Sequence, residues 1–168
     1  MIIYLHLVLT YFHGIQGPSV LLSYPDEKLE EDLINRLKKF FDLDIDETFF
    51  EIVLITKKKK IINFHFELDS EWARGKKEFV MLSLIMKKEY ESELVYAFLV
   101  DTSYKILKTE NVYKAFYKDD EFHDNDIEID ANYERIKKIL FTSLNSLIKR
   151  IEDKIKGINK KEPFPFTK

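Results

Sequence analysis

Four histidines, His6, His13, His65 and His123, and an alternation of acids, Asp124, Asp126, Glu128 and Asp130, are the side chains that first invite metal or acid–base chemistry. A helical zinc site needs two imidazoles one turn apart, as in HExxH, so that both nitrogens reach one ion. No pair of these histidines has that spacing. A calcium loop counted from Asp124 requires glycine at its sixth position and glutamate at its twelfth. The chain has Ile129 and Arg135 there, so the acids are expected to form a solvated loop. Gly14 and Gly17 lack the spacing, the following helix and the lysine of a phosphate-binding loop, and read as a plain turn. There is no GxSxG serine and no cysteine, which removes thiolate metal sites and cysteine nucleophiles together. No catalytic residue, metal site or cofactor is assigned; an enzyme of unrecognised type remains an alternative.

Binding chemistry has better candidates. Between Asp69 and Glu78 the chain concentrates Trp72, Arg74, Gly75, Lys76 and Lys77, and tryptophan and arginine are the residues most enriched at interface hot spots. A protein partner could dock there, and Gln16 of the glycine turn is a further candidate contact. The competing reading is structural: Trp72 folds back over the sheet edge and Arg74 pairs with Glu71 or Glu78. The run Lys57, Lys58, Lys59 and Lys60 could touch an anionic surface, enlarged by Lys87 and Lys88 if those strands pair antiparallel. Its bland account is a solvated turn that discourages edge-to-edge aggregation.

Composition sets the frame for these residues. A chain of 168 residues fits one core, and 45% hydrophobic content is enough to offset the entropy lost on folding. The net charge of -3 provides no overall field to recruit nucleic acid or an anionic membrane, so any such contact is local and any membrane association peripheral. The apolar opening from Met1 to Phe12 has no basic n-region or cleavage site and is too short to span a bilayer. The expectation is a soluble, cytoplasmic protein.

Periodicity then places the elements. Ile2 to Phe12 is apolar on both faces of a period-two pattern, as a central strand should be, and Ser19 to Tyr24 returns as its hairpin partner. Asp26 is expected to cap a helix running to Phe41, with Leu29, Leu33, Ile34, Leu37, Phe40 and Phe41 as its stripe. Three strands follow, Thr48 to Thr56, Ile61 to Leu68 and Glu78 to Lys88, arranged as a meander. In the middle one, Ile61, Asn63, His65 and Glu67 form a wetter face. Ser92 to Lys108 reads as a helix, and Asp119 to Asp130 as an acidic loop. Asp130 then caps a final helix carrying Tyr133, Ile136, Leu140, Leu144, Leu147, Ile151 and Ile155, stopped near Gly157. Residues 1–157 are thus one domain and 158–168 a flexible tail.

This order is α/β: a five-stranded antiparallel sheet in the sequence strand-strand-helix-strand-strand-strand-helix-helix, one helix on one face and two on the other. It resembles the longin domain, a relative of the roadblock and profilin-like folds. Two strings carry the likeness further: Tyr11-Phe12-His13-Gly14-Ile15-Gln16-Gly17-Pro18-Ser19-Val20-Leu21-Leu22-Ser23-Tyr24-Pro25 and Ser70-Glu71-Trp72-Ala73-Arg74-Gly75-Lys76-Lys77-Glu78. The first is similar to the "GP, apolar, SYP" hairpin of longin-like trafficking proteins. The second resembles a turn of longin-like proteins of archaea, in lineages rich in eukaryote-like small GTPases. The resemblance implies an adaptor in vesicle-trafficking-type machinery, binding or regulating a small GTPase or another longin or roadblock domain as a homo- or heterodimer. It also implies that the first strand pairs with the fifth, bringing the turns at Gly14–Pro18 and Asp69–Glu78 to one end of the sheet. The chain departs from longin SNAREs in having no heptad segment and anchor after the domain. Profilin-like relatives sometimes use their concavity for small ligands, and a small-ligand sensor is the second expectation.

Overall fold

Leu5–His13, β1, alternates between two buried faces of one sheet, which is why its sequence shows no polar side. The computed structural model describes residues 3–41, 49–123 and 125–158. After β1 come β2 (Gly17–Tyr24), α1 (Glu31–Phe40), β3 (Phe49–Leu54), β4 (Lys59–Asp69), β5 (Lys77–Lys87), α2 (Glu93–Leu107), a 3-10 helix (Val112–Tyr117) and α3 (Glu128–Ile158). The five strands form one antiparallel sheet in the order β2-β1-β5-β4-β3. β1 is interior, as its two apolar faces require, and pairs antiparallel with β5, which occupies the middle.

Two cores lie on the two faces. Leu5, Leu7, Leu9 and Tyr11 of β1, with Val80, Leu82, Leu84 and Met86 of β5, pack under α2, α3 and the 3-10 helix. Val8, Met81, Ile85 and Ile61 pack on the other face beneath Leu33, Leu37 and Phe40 of α1. The period of two along each strand sorts the side chains between these layers.

Four expectations are corrected. The first helix begins at Glu31 rather than Asp26, and its first turn takes no side-chain cap. β2 and β3 lie at opposite edges of the sheet, about 19 Å apart at the usual strand spacing. The stretch 25–30 covers part of that crossing in non-helical form, which gains more distance per residue than a helix, and it still buries Leu29. The face of β4 expected to be wetter is largely covered: Ile61 and Asn63 are fully buried, and His65 stacks on Phe50 with a ring distance of 5.3 Å. Asn63 tolerates this because Ser83 donates to its Oδ1 at 2.6 Å and its Nδ2 donates to the Phe50 carbonyl at 3.4 Å.

The 3-10 helix lies between the stretches to which periodicity assigns α2 and the acidic loop, and it buries Val112, Tyr113, Ala115 and Phe116. The last helix is capped by Asp126, whose Oδ1 accepts the Glu128 N–H at 2.9 Å, instead of by Asp130. It continues through Gly157 to Ile158, and the tail expected over 158–168 lies, apart from Ile158, outside the described residues. No helix among the described residues is long and apolar enough to cross a membrane.

Candidate protein-binding surface

Because β1 exits beside the entry of β5, with Tyr11 opposite Val80, the β1–β2 turn and the β4–β5 turn converge at one end of the sheet. Together with the end of the 3-10 helix and the loop after it they enclose a groove of about 510 Å³. Tyr11, Phe12, His13, Ile15, Trp72 and Arg74 are among the residues that line it.

The two turns are built differently. In the first, Gly17 takes φ +73°, a conformation that suits glycine, while the His13 Nδ1 accepts the N–H groups of Ile15 and Gln16 at 3.0 and 3.1 Å. Gln16 therefore contributes its backbone to closing the turn, and its side chain is exposed. In the second turn the left-handed residue is Lys76, at φ 61°, rather than Gly75. Lys76 is held there by its N–H to the Ala73 carbonyl at 2.9 Å and its Nζ to the Glu71 carbonyl at 3.0 Å. Ser70 braces the turn from below, accepting the Ala73 N–H at 3.1 Å and donating to Glu78 at 2.7 Å.

Trp72 is half-buried and belongs to an aromatic cluster. His123 stacks on it at 4.2 Å between centroids, Tyr113 and Tyr117 meet it edge-on at 5.4 and 5.2 Å, and the Lys114 Nζ lies 5.3 Å over its ring. So Trp72 does fold against the protein, as the structural reading expected. Arg74 does not follow that reading, because both proposed acids are engaged elsewhere. Glu71 accepts from the Tyr113 hydroxyl at 3.2 Å, and Glu78 accepts from the Tyr117 hydroxyl at 2.6 Å. Arg74 is exposed with no acid partner among the described residues.

The electrostatics follow from the same packing. Burial, then the hydrogen bond to Glu78, pushes the Tyr117 hydroxyl well above its usual range, and burial first, then nearby acids, pushes Tyr11 up to about 12. Burial opposes the charge on Asp120, but the Phe122 N–H at 2.8 Å and the His123 ring at 3.1 Å outweigh it and hold that carboxyl low.

The tertiary fold adds Phe12, Ile15 and Phe79, which are 45%, 82% and 52% exposed. Phe12 and Phe79 share the alternation of Val8 and Met81 and so lie on the α1 face. One helix of ten residues, about 15 Å long, covers less than half of an eleven-residue strand, about 36 Å, and leaves these strand ends bare. The sequence holds no signal of this, because it reads the helix as starting at Asp26 and only the structure shows the ten-residue length that leaves them uncovered.

The lysines gather at the opposite end. Lys59 lies across from Lys87, and the Lys88 N–H donates to the Lys58 carbonyl at 3.1 Å. Half of the group is already committed: Lys57 bonds Glu30 and Asp32, Lys59 sits 4.8 Å over the Tyr4 ring, and Lys60 is buried with Glu51 at 3.8 Å. Lys58, Lys87 and Lys88 have no acid partner among the described residues. Among the described residues no group of three or more histidine, aspartate or glutamate residues is placed to hold a metal ion, and Asp124 lies outside them.

No protein-family model matches the sequence, and no curated protein matches it. Among solved structures, the chain is similar to the longin domain of Lst4 from K. lactis, with a TM-score of 0.52 over 87% of this chain and 98% of that one, at 15% identity. Identity at that level speaks to backbone architecture and leaves the groove residues to be judged on their own geometry. With its sheet order, its single helix on one face and its two long helices on the other, the chain has a longin-like fold.

Proposed function

We propose that this protein is a non-catalytic adaptor that binds a protein partner through the groove at the β1–β2 and β4–β5 turns. One observation carries the reading: three exposed apolar side chains, Phe12, Ile15 and Phe79, and an arginine without an acid partner line one groove together with Trp72. In this reading Trp72 acts as the rigid platform, and Arg74, Gly75, Lys76 and the Gln16 turn form its rim. The longin-like fold supports a role in protein interaction. The resemblance in the hairpin and turn strings extends that to a small GTPase or a second longin or roadblock domain, in trafficking-type machinery.

The test is to recover partners with the purified chain, produce the recovered GTPase or longin protein separately, and measure affinities. Phe12→Ser with Phe79→Ser, and separately Arg74→Ala, should each weaken binding by more than about 2 kcal/mol, the hot-spot threshold. Unchanged affinity in both, with loss on substituting the exposed Tyr104 of α2 or Phe141 of α3, would move the site to the helices.

A second contact is supported by the three free lysines, Lys58, Lys87 and Lys88, at the far end. We assign them a weak, salt-sensitive attraction to anionic surfaces. Sedimentation with vesicles containing one-third phosphatidylserine should bring the chain down at low salt only, and no binding at low salt would remove this contact.

A further inference from the structure

The lysine end of the sheet is concave. A pocket of about 640 Å³ opens there, lined by Tyr4, Lys57, Lys58, Lys59, Lys87 and a single acid, Glu89. Lys59 and Lys87 face each other directly across the β4–β5 pair, on the α1 side, with β carbons about 5 Å apart, so their like charges oppose the pairing. Lysine often blunts an exposed sheet edge, but β4 and β5 are interior strands and this pair protects no edge. The Tyr4 ring, 4.8 Å from the Lys59 Nζ, holds that ammonium in place without neutralising it. Lys58 stands at φ 52°, fixed by its N–H to the Ile55 carbonyl at 3.2 Å and by the Lys88 N–H on its own carbonyl at 3.1 Å.

Paired side chains keep their charges, so every one of them counts. Lys57 is held by Glu30 and Asp32, and Asp32 also binds Arg36. Glu27 and Lys59 pull on the same His6 ring in opposite directions, which brings Glu27 into the balance. Lys60 and Glu51 cancel each other. With Lys88, next in the chain to Lys87, six cations then stand against Glu27, Glu30, Asp32 and Glu89, an excess of two positive charges.

Resting on the reading of this end as an anion contact, we propose that the pocket binds a compact group bearing two or more phosphates, the inositol phosphate of a lipid headgroup or the same group free in solution. One phosphate answers the Lys59–Lys87 pair, since its acceptor oxygens take donors from both ammonium groups, and a second reaches Lys58. A lipid with one net charge, such as phosphatidylserine, cannot offset an excess of two and leaves the facing pair in part unrelieved. The opposed pair on interior strands is the feature that a solvated turn does not explain, and a bound phosphate removes its cost.

The intact chain is tested against phosphatidylcholine vesicles carrying phosphatidylinositol bisphosphate, vesicles carrying phosphatidylserine at the same total charge, and soluble inositol trisphosphate. At moderate salt the bisphosphate vesicles are expected to bind at least about tenfold more tightly than the phosphatidylserine vesicles, and the trisphosphate to compete with them. Lys87→Ser and Lys59→Ser should each weaken that binding about fivefold with far-ultraviolet circular dichroism unchanged. Lys149→Ser, at an exposed lysine of α3, changes the net charge equally and should leave binding as it was. Trisphosphate that binds as tightly as the bisphosphate vesicles, or without them, marks a free phosphate as the source; a bilayer that binds far more tightly than the free group marks the lipid. Equal binding to the two kinds of vesicle, no competition, or an equal loss from Lys149→Ser would overturn the pocket. If phosphatidylserine vesicles still bind at low salt in that case, the weak surface contact stands and only the phosphate chemistry is wrong. No response to any of the three probes at low salt removes both.

Discussion

Trp72 and His123 stack face to face, 4.2 Å between ring centroids with 21° between their planes, and so join the β4–β5 turn to the loop that precedes α3. Asp120 holds the far side of the imidazole at 3.1 Å, and Tyr117 packs against the same ring at 5.1 Å. The turn's only aromatic side chain is thereby spent on anchoring a neighbouring element, while Arg74, two residues on, is left free.

That division separates the two residues experimentally. Trp72→Ala removes contacts with three rings and is expected to lower stability by at least about 2 kcal/mol, whereas Arg74→Ala should stay within about 0.5 kcal/mol of the parent. His123→Ala, which removes one stacked ring, should cost about 1 kcal/mol and move Trp72 emission to the red. Urea titrations followed by circular dichroism read all three. Equal destabilisation by Arg74→Ala and Trp72→Ala would mean that Arg74 has an internal partner.

A second expectation concerns acid. His6 is buried, and its Nε2 has no hydrogen-bond partner. Burial first, with Lys59 adding, holds its pKa below the ordinary 6.5 against the opposing pull of Glu27 and the Pro25 carbonyl; burial lowers His65 as well. Below about pH 6.5 the unfolded chain therefore takes up protons that the folded chain resists. The stability these histidines allow is complete above that pH and declines as pH falls toward their folded values. His6→Leu should flatten the decline between pH 6.5 and 5, and should raise stability at pH 7.5 by about 1 kcal/mol by removing an orphan acceptor. An unaltered pH slope would contradict it.

The start of α3 hangs on Asp126, which caps Glu128 and also receives the Lys114 Nζ at 3.1 Å. The cap and that ion pair, more than burial, hold its carboxyl below the usual range. Asp126→Ala is expected to cost about 1 kcal/mol and to speed amide exchange at Glu128 and Ile129 while the middle of the helix stays protected. Uniform loss of protection along α3 would show that the cap supports the whole helix.

Exchange should also rank the strands. Of the three interior strands β1, β5 and β4, all paired on both edges, β1 and β5 lie deepest in the sheet, so their amides are expected to exchange last, after those of the edge strands β2 and β3. Fast exchange in β1 would be incompatible with its position beside β5.

Periodicity along the chain determined the elements, because burial on a strand repeats every two residues and on a helix every three to four. Leu5 to Tyr11 announces an interior strand, and Ile136 to Ile151 announces the helix face that covers it. The convergence of the two turns was legible only through the longin resemblance, which implies the antiparallel pairing of β1 with β5 that dictates it. The helix starts were not: Asp26 and Asp130 have the chemistry of caps, but the crossing distance between β2 and β3 and the anchoring of Asp126 by Lys114 decided where each helix begins. The groove was only half legible. Trp72 and Arg74 stood out by residue type, yet which of them is free depended on Tyr113 and Tyr117 taking up Glu71 and Glu78. Those four side chains come from two stretches of chain that only the folded sheet and its helices bring together. Phe12 and Phe79 read as ordinary core until the short reach of α1 leaves them uncovered, because exposure belongs to the packing of layers and no local pattern encodes it.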